Sequence, residues 1–227
     1  NPVTGKPQLN RVVNRTLILD RIRRDGLISR AELAKLTAIR PPTVSSVITE
    51  LIREGFVEEI GNGESSGGRA PRMVALSRSQ QRALGFEVNE RAVLAGICDM
   101  TGELCAHVLS DFTPRTPDRT LDVLEQVGSD LLGSAGLTWS DVLGVGLAVP
   151  GHLDNTNGIV RWSRPFQWRD VPLRQMCEAR WGTTTDVIND SAAGSMAAHF
   201  LGPGRDVLNL VYLHVRFADA SHGVVGL

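Results

Sequence analysis

The chain has 227 residues, of which 42% are hydrophobic and 22% are charged. This composition suffices for one large domain or two modest ones, each with its own core, and it excludes a disordered, highly charged tail. No apolar run approaches the roughly 20 residues of a membrane-spanning helix, and no secretory signal is visible. The three cysteines, Cys98, Cys105 and Cys177, have no repeated spacing, which favours a reducing cytoplasm over a disulfide framework.

The net charge of −1 conceals an uneven distribution of charge along the chain. Residues 1–78 contain 13 Lys and Arg against 8 Asp and Glu, a balance of +5, whereas residues 79–227 contain 11 against 17, a balance of −6. A basic head on an acidic body is typical of a nucleic-acid-binding domain joined to a separate domain. We therefore expect a tail over 1–10, a DNA-binding head over 11–78 and a second domain over 79–227.

Hydrophobic periodicity predicts three helices in the head. An apolar stripe over 14–24 indicates the first helix, and Ser29 with Glu32 forms a capping box at the start of a short second helix. The third helix begins near Pro41, where a missing N–H group is tolerated. Its buried face is formed by apolar residues at helical spacing: Val44, Val47, Ile48, Leu51 and Ile52.

Two predicted strands, over 56–60 and 72–76, enclose a loop rich in Gly and Ser. Three helices followed by a hairpin favour an all-α winged helix-turn-helix head, whose recognition helix enters the major groove of DNA. The alternative is a helical protein-interaction module with a solvated hairpin. The residues expected to contact DNA are small and polar or basic: Arg40, Thr43, Ser45, Ser46, Thr49, Arg69 and Arg72.

The pattern changes to strands and helices after residue 83, which predicts an α/β body. Predicted strands lie over 84–88, 93–99, 103–112, 143–149, 184–188 and 207–217, with a short strand after the turn at 154–158 and the start of another over 223–227. Predicted helices lie over 121–132, 171–181 and 191–200.

Segments of both halves carry a family resemblance. The head sequences are SRAELAKLTAIRPPTVSSVITELIREG (29–55) and GESSGGRAPR (63–72), and the body sequences are GVGLAVPG (144–151), WRDVPL (168–173) and INDSAAGSMAA (188–198). Together they resemble the ROK family of repressors, open reading frames and sugar kinases, and above all its repressor branch. The resemblance implies an α/β lobe of the actin-like, ribonuclease-H-like kind. It also implies that the family's second lobe and its zinc-bearing segment lie largely beyond Leu227.

The expected ligand site lies where a predicted strand ends at Asn189 and Asp190, because open α/β sheets bind ligands at the carboxyl ends of their strands. The resemblance implies that Asp190 matches the base of the family's sugar kinases. We expect Pro150, Gly151, Gln167, Asn189 and Asp190 to bind a ligand. The alternative is that Asn189 and Asp190 only cap the following helix.

Both phosphate-binding turns of the family's kinases are altered in this sequence. Asn89, Glu90 and Arg91 stand where the resemblance implies a glycine turn, and 217–223 retains only Gly223 of the second turn. Because side chains hinder the close backbone approach that phosphates require, we expect no kinase activity. We also expect no catalytic residue, no metal site and no cofactor in this stretch, the structural zinc of the family lying further along.

These observations predict a sequence-specific DNA-binding repressor of carbohydrate genes, whose DNA binding is modulated by a sugar or sugar derivative. The expected partners are double-stranded operator DNA, that small sugar, and further copies of the chain in a homodimer or a dimer of dimers, with no membrane. The first alternative is a ROK-type sugar kinase, dependent on ATP, with a DNA-binding head. The second is a regulator without a ligand, whose body serves for dimerisation.

Overall fold

A computed structural model describes residues 5–62, 70–78, 81–113, 116–205 and 207–215. The chain divides into two units, of which the first comprises 1–81 with 99–101 and the second comprises 82–98 with 102–227. Each unit has its own cluster of buried apolar side chains. In the described part of the chain, every helix is too short or too polar to cross a bilayer.

The first unit contains three helices and a small antiparallel sheet. Its elements are α1 (Gly5–Asp25), β1 (Ile28–Ser29), α2 (Arg30–Thr37), α3 (Pro41–Arg53), β2 (Val57–Asn62) and β3 (Arg72–Leu76), and the sheet order is β1-β3-β2. The centre of its core is formed by side chains that are fully or almost fully buried: Ile18, Ile22, Leu33, Val44, Ile48, Leu51, Val57 and Val74. The tail expected over 1–10 was wrong from Gly5 onward, because α1 already begins there.

The second unit is built on a mixed five-stranded sheet. Its elements are β4 (Arg82–Val88), β5 (Ala92–Cys98), β6 (Leu104–Asp111), α4 (Pro117–Ser134), β7 (Val142–Val149), β8 (His152–Asp154), β9 (Ile159–Ser163), β10 (Trp168–Val171), α5 (Leu173–Trp181), β11 (Thr185–Asn189) and α6 (Asp190–Phe200). The order of the main sheet is β11-β7-β4-β5-β6, in which β4, β7 and β11 are parallel and β5 is antiparallel to both of its neighbours. A second, antiparallel sheet has the order β10-β9-β8.

The parallel part of the main sheet brings two strand ends together. β7 and β11 pair in register, with Val149 opposite Asn189 at their carboxyl ends. β7 is rich in Val and Leu and is buried toward its carboxyl end, whereas the edge strand β11 alternates buried and exposed residues over Thr185–Val187. The turn after β7 and the start of α6 after β11 therefore lie side by side at one edge of the sheet.

Three features of the second unit differ from the sequence-based expectation. β8 and β10 were not predicted, because strands of three and four residues are too short to show periodicity. The strand expected over 207–217 is wrong for 207–215, which form no strand, and 216–217 and 223–227 lie outside the described residues. The alternating apolar pattern of 207–215 has no ladder partner in the described chain, and a strand requires one.

Candidate functional site

The helix-turn-helix of the first unit is formed by α2, a three-residue turn and α3. The hydroxyl of Ser29 accepts a hydrogen bond from Glu32 N at 3.2 Å, and the Glu32 carboxylate accepts from Ser29 N at 3.2 Å, which confirms the predicted capping box. Ala38 ends α2 in the left-handed conformation, with φ of 55°. This turn directs the chain into α3, whose apolar face packs on the core of the unit.

The opposite face of α3 forms an open concave surface with the amino-terminal half of α1. Ser46 and Thr49 are exposed and Ser45 is half-buried. The surface is lined by Arg11, Pro42, Ser45, Ser46, Thr49, Glu50 and Arg53. Three of the residues predicted to contact DNA, Ser45, Ser46 and Thr49, are thus brought together on one surface.

The hydroxyl of Thr49 is partly committed within the helix. Its Oγ1 donates a hydrogen bond to the backbone oxygen of Ser45 at 2.8 Å. The hydroxyl proton is therefore used, and the groups that remain available on Thr49 are the oxygen lone pairs and the methyl group. Thr49 is suited to accept a hydrogen bond from a base or to contact a thymine methyl.

Arg40 and Thr43 lie at the start of α3. Arg40 occupies the N-cap position and is exposed, and in the described residues its side chain makes no capping hydrogen bond. Its backbone oxygen accepts from Thr43 N at 2.9 Å and from Val44 N at 3.1 Å. The start of the helix is thus organised by the backbone and the two prolines, while the Arg40 guanidinium projects from a helix end suited to phosphate contacts.

The wing strand β3 carries Arg72, whose side chain is 64% exposed. Its Nη1 donates to Glu59 Oε2 at 2.9 Å, and Arg30 contacts the other oxygen of the same carboxylate at 3.0 Å. Arg72 is therefore held by an ion pair beside the wing loop. Arg69, the other wing arginine expected to contact DNA, lies outside the described residues.

Sequence reasoning missed the charged cluster that joins α1 to α3. Arg11 Nη2 donates to Glu50 Oε2 at 2.6 Å, and Arg15 donates to Glu54. The hydrogen bond from Arg11, helped by the charges of Arg11 and Arg15, lowers the pKa of Glu50. The partners are 39 residues apart along the chain, so no local spacing in the sequence points to them.

The second candidate site lies at the carboxyl ends of β7 and β11. Asn189 is the N-cap of α6, and its Oδ1 accepts from Ser191 N at 2.9 Å and from Ala192 N at 3.2 Å. Its Nδ2 donates to the backbone oxygen of Gly151 at 2.9 Å. Asn189 therefore does cap the helix, and it also fixes the turn that follows β7.

Asp190 is the first residue of α6 and is buried, with 8% of its surface exposed. Its Oδ1 accepts a hydrogen bond from Ser191 N at 2.8 Å. A carboxylate in the first turn of a helix is favoured by the helix dipole, so its burial here is partly compensated. Pro150 is buried immediately beyond β7 and follows Val149, which lies opposite Asn189 in the sheet register.

Gly151 and Gln167 have unusual backbone conformations. Gly151 has a φ of 139°, and a Cβ atom there would lie 2.6 Å from the backbone oxygen of Trp162, so only glycine fits. Gln167 is exposed in the turn before β10 and has a φ of 57°, which is uncommon for a residue with a side chain. Four of the five predicted ligand residues, Pro150, Gly151, Asn189 and Asp190, are adjacent, and the structure shows no contact that joins Gln167 to them in the described residues.

The side chain of Asn89 closes the turn between β4 and β5. Asn89 Oδ1 accepts from Arg91 N and from Ala92 N, both at 2.9 Å. These backbone N–H groups, the kind that cradle phosphate in nucleotide-binding turns, are engaged inside the turn. The second turn expected to bind phosphate, 217–223, lies outside the described residues.

Elsewhere in the part of the chain that the structure describes, ionisable and metal-ligating side chains show no further site. Cys177 is buried in α5, and burial, aided by the negative charge of Glu178, raises the pKa of its thiol to about 12. Among the described residues, no three His, Cys, Asp or Glu side chains converge as they would to hold a metal ion.

Comparison with known proteins decides the family. A model described as "ROK family" matches residues 87–217, and one described as "Winged helix-turn-helix DNA-binding" matches residues 14–58. The chain belongs to the ROK family. Its head carries the winged helix-turn-helix that the sequence predicted, and its body is the ROK lobe.

The ROK relatives of this chain include named repressors. A protein of Caldicellulosiruptor sp. (strain Rt8B.4) named "Putative xylose repressor" is 30% identical over 98% of this chain and 56% of its own length. The xylose repressor of Bacillus subtilis (strain 168) is 27% identical over 89% of this chain and 53% of its own length. The chain thus spans about half the length of the curated relatives it matches.

Solved structures support the same fold. The crystal structure of a ROK family transcriptional regulator, a homologue of the Escherichia coli MLC protein, has a TM-score of 0.66 and 21% identity, and the match covers 79% of this chain and 46% of that one. A ROK family glucokinase from Streptomyces griseus has a TM-score of 0.50 and 23% identity over 55% of this chain and 38% of its own. The actin-like fold is therefore common to regulators and kinases, and fold alone does not separate these two functions.

Proposed function

We propose that the protein carrying this chain is a sequence-specific DNA-binding repressor of carbohydrate genes. The observation that carries the proposal is the exposed polar face of α3, with Ser45, Ser46 and Thr49 on one concave surface next to basic side chains. Small hydroxyl side chains allow a helix to approach base edges closely, and arginines position it through phosphates. The named repressors among its relatives support the same function.

Two threonines of the first unit provide a matched test of this surface. Thr49 and Thr16 are both exposed on helices, and each hydroxyl donates to the backbone oxygen four residues earlier. Thr16 lies on α1 and does not line the concave surface. The same substitution at the two positions therefore changes charge and helix propensity equally, and only one change falls on the proposed DNA interface.

The experiment uses the duplex that the wild-type chain enriches from a randomised library. Thr49→Glu places a carboxylate against phosphates and base acceptors, so we expect its binding to this duplex to be lost, as measured by fluorescence anisotropy. Thr16→Glu should bind within about twofold of the wild type, since its charge lies away from the interface. Equal binding by the two variants would show that α3 does not read the DNA.

For the body, we propose that the edge formed by Gly151, Asn189 and Asp190 binds a sugar or sugar derivative. Carboxylate and amide groups next to each other can accept from and donate to sugar hydroxyls. The names of the relatives make D-xylose the first sugar to test. A ligand that binds only the folded protein raises the unfolding temperature, so a thermal-shift series with D-xylose, and with L-arabinose as a stereochemical control, tests the proposal.

We propose that the protein does not transfer phosphate, although ROK kinases share its fold. The support is the turn at Asn89, whose backbone N–H groups are engaged by the Asn89 side chain. The second candidate function is a ROK-type sugar kinase, and the buried Asp190 at the strand edge is the observation that favours it. Incubation with ATP, Mg²⁺ and D-xylose, followed by chromatography for sugar phosphate, separates the two functions.

Three further parts of the proposal do not rest on a contact in the structure. A repressor acts where chromosomal DNA is accessible, so we place it in the cytoplasm. Operators with two half-sites require two heads, which favours a homodimer or a dimer of dimers. The structural zinc implied by the family resemblance would belong to a part of the protein outside this chain.

A further inference from the structure

Arg30, the first residue of α2, bonds to two elements that the proposed function places on DNA. Its Nη1 donates to the backbone oxygen of Ser45 in α3 at 3.3 Å. Its Nη2 donates to Glu59 Oε1 in the wing strand β2 at 3.0 Å. Because a guanidinium is a rigid planar fork of donors, it holds its two acceptors at a defined separation.

Glu59 is the centre of the wing side of this network. One carboxylate oxygen accepts from Arg30 and the other accepts from Arg72 at 2.9 Å. Partial burial raises the pKa of Glu59, but the hydrogen bonds and charges of Arg72 and Arg30 outweigh it and lower the pKa overall. The carboxylate is thus ionised and engaged by both arginines, and such a network restrains side chains more than an isolated surface pair does.

The acceptor on α3 belongs to Ser45, one of the residues that line the surface proposed to read DNA. The backbone oxygen of Ser45 receives Arg30 Nη1 and also the hydroxyl of Thr49. Ser45 and Thr49 both line the concave surface. Through these two bonds, a single side chain links the reading face of α3 to the wing strand β2.

We propose that Arg30 is a positioning residue that sets the spacing between the recognition helix and the wing and does not itself contact DNA. This inference rests on the proposed DNA-binding function. Hydrogen bonds to base edges need placement within about 0.5 Å, whereas contacts with a regular phosphate backbone tolerate larger shifts. Loss of Arg30 should therefore reduce discrimination between DNA sequences more than it reduces affinity for DNA in general.

The test compares two arginine variants of the 227-residue chain by fluorescence anisotropy. Arg30→Ala removes both bonds, and Arg21→Ala is the control, because Arg21 forms an ion pair with Asp25 inside α1 at 2.5 Å. The probes are the duplex enriched by the wild type from a randomised library and a mixed-sequence duplex of the same length. We expect the ratio of the two affinities to fall about tenfold or more in Arg30→Ala and to stay unchanged in Arg21→Ala.

The dependence of binding on salt separates positioning from direct contact. If Arg30 does not touch phosphate, the slope of log K against log salt should be unchanged in Arg30→Ala. A slope shallower by about 0.9, with equal loss on both duplexes, would make Arg30 a phosphate contact and overturn the inference. An unchanged affinity ratio would overturn it as well.

A second variant keeps the inference testable if Arg30→Ala fails to fold. Glu59→Gln removes the charge that Arg30 and Arg72 share while leaving the bond from Arg30 to Ser45 in place, so we expect a smaller loss of discrimination in the same direction. If both variants discriminate between the two duplexes as well as the wild type does, this inference is overturned and the proposed function is not affected. A wild-type chain that prefers no duplex over the mixed sequence would overturn the proposed function and the inference together.

Discussion

The side-chain amide of Asn189, at the end of β11, holds the backbone oxygen of Gly151 in the turn after β7, with Nδ2 donating over 2.9 Å. The same side chain caps α6 through its oxygen. One residue therefore joins the two strand ends of the proposed ligand site. Gly151 has no room for a Cβ atom, so the turn meets Asn189 in a conformation that only glycine adopts.

We expect Asn189→Ala to destabilise the second unit by about 1–3 kcal/mol, because it removes the cap and leaves the Gly151 oxygen without its donor. Asn189→Ser keeps a capping oxygen but cannot reach Gly151, so we expect it to lose about half as much stability as Asn189→Ala does. Urea unfolding followed by tryptophan fluorescence measures this, because all four tryptophans lie in the second unit. Equal stability of the alanine variant and the wild type would contradict the double role of Asn189.

A second prediction concerns the start of the recognition helix. Serine at position 40 can cap through its hydroxyl, but Pro41 and Pro42 have no N–H groups and Thr43 N already bonds to the Arg40 backbone oxygen at 2.9 Å. We therefore expect Arg40→Ser to stabilise the first unit by no more than about 0.5 kcal/mol, at the low end of N-cap effects. DNA affinity should nevertheless fall, because the guanidinium is lost.

Circular dichroism during thermal unfolding gives the stability of this helical unit, and anisotropy gives the affinity for DNA. Arg40→Lys is the control, because it keeps the positive charge and has no capping oxygen. A gain well above 1 kcal/mol in Arg40→Ser would mean that the prolines do not limit capping.

The sequence predicted the elements whose signals are local. The Ser29–Glu32 capping box and the spacing of Val44, Val47 and Ile48 lie within single helices, so propensity, periodicity and capping act together there. The family resemblance likewise led to Asn189 and Gly151, although their hydrogen bond could not be predicted. It joins residues 38 positions apart, and only the parallel pairing of β7 and β11 brings them into contact.

Features that depend on tertiary packing were missed. No sequence signal singles out Arg11 and Arg15, which the folded unit places against Glu50 and Glu54. β1 has two residues and exists only because β3 lies beside it. Sequence reasoning therefore identified the recognition helix and its apolar face, but it could not identify the charged side chains that join this helix to α1.

A third prediction concerns pH. Hydrogen bonds from the backbone N–H and then the hydroxyl of Ser29 lower the pKa of Glu32. A depressed carboxylate pKa stabilises the folded state above the unfolded pKa, and this contribution is lost as the pH falls through the folded pKa. We therefore expect the first unit to lose stability as the pH falls through the folded-state pKa of Glu32.

Glu32→Gln isolates this contribution, because glutamine can also accept from Ser29 in a capping box but does not titrate. Its stability at neutral pH should be close to that of the wild type, and its decline on acidification should be shallower. Circular dichroism melts across the acidic range measure both curves. Parallel curves for the two proteins would show that Glu32 keeps its ordinary pKa in the folded state.

The last prediction concerns Asp190 and separates sensing from catalysis. If its buried carboxylate accepts hydrogen bonds from sugar hydroxyls, each worth about 1.5–3 kcal/mol, Asp190→Asn should raise the dissociation constant of the sugar about tenfold or more. The substitution keeps the size of the side chain and an oxygen for the bond from Ser191 N, so the fold should be retained. DNA binding without sugar should match the wild type, because the recognition helix belongs to the other unit.

The measurements are isothermal titration with D-xylose and anisotropy with the enriched duplex, made on the protein that carries this chain. Release from DNA by sugar should therefore require much higher concentrations in Asp190→Asn. Sugar phosphate formed by the wild type and absent in Asp190→Asn would instead make Asp190 the base of a kinase, and an unchanged response to sugar would place the ligand elsewhere.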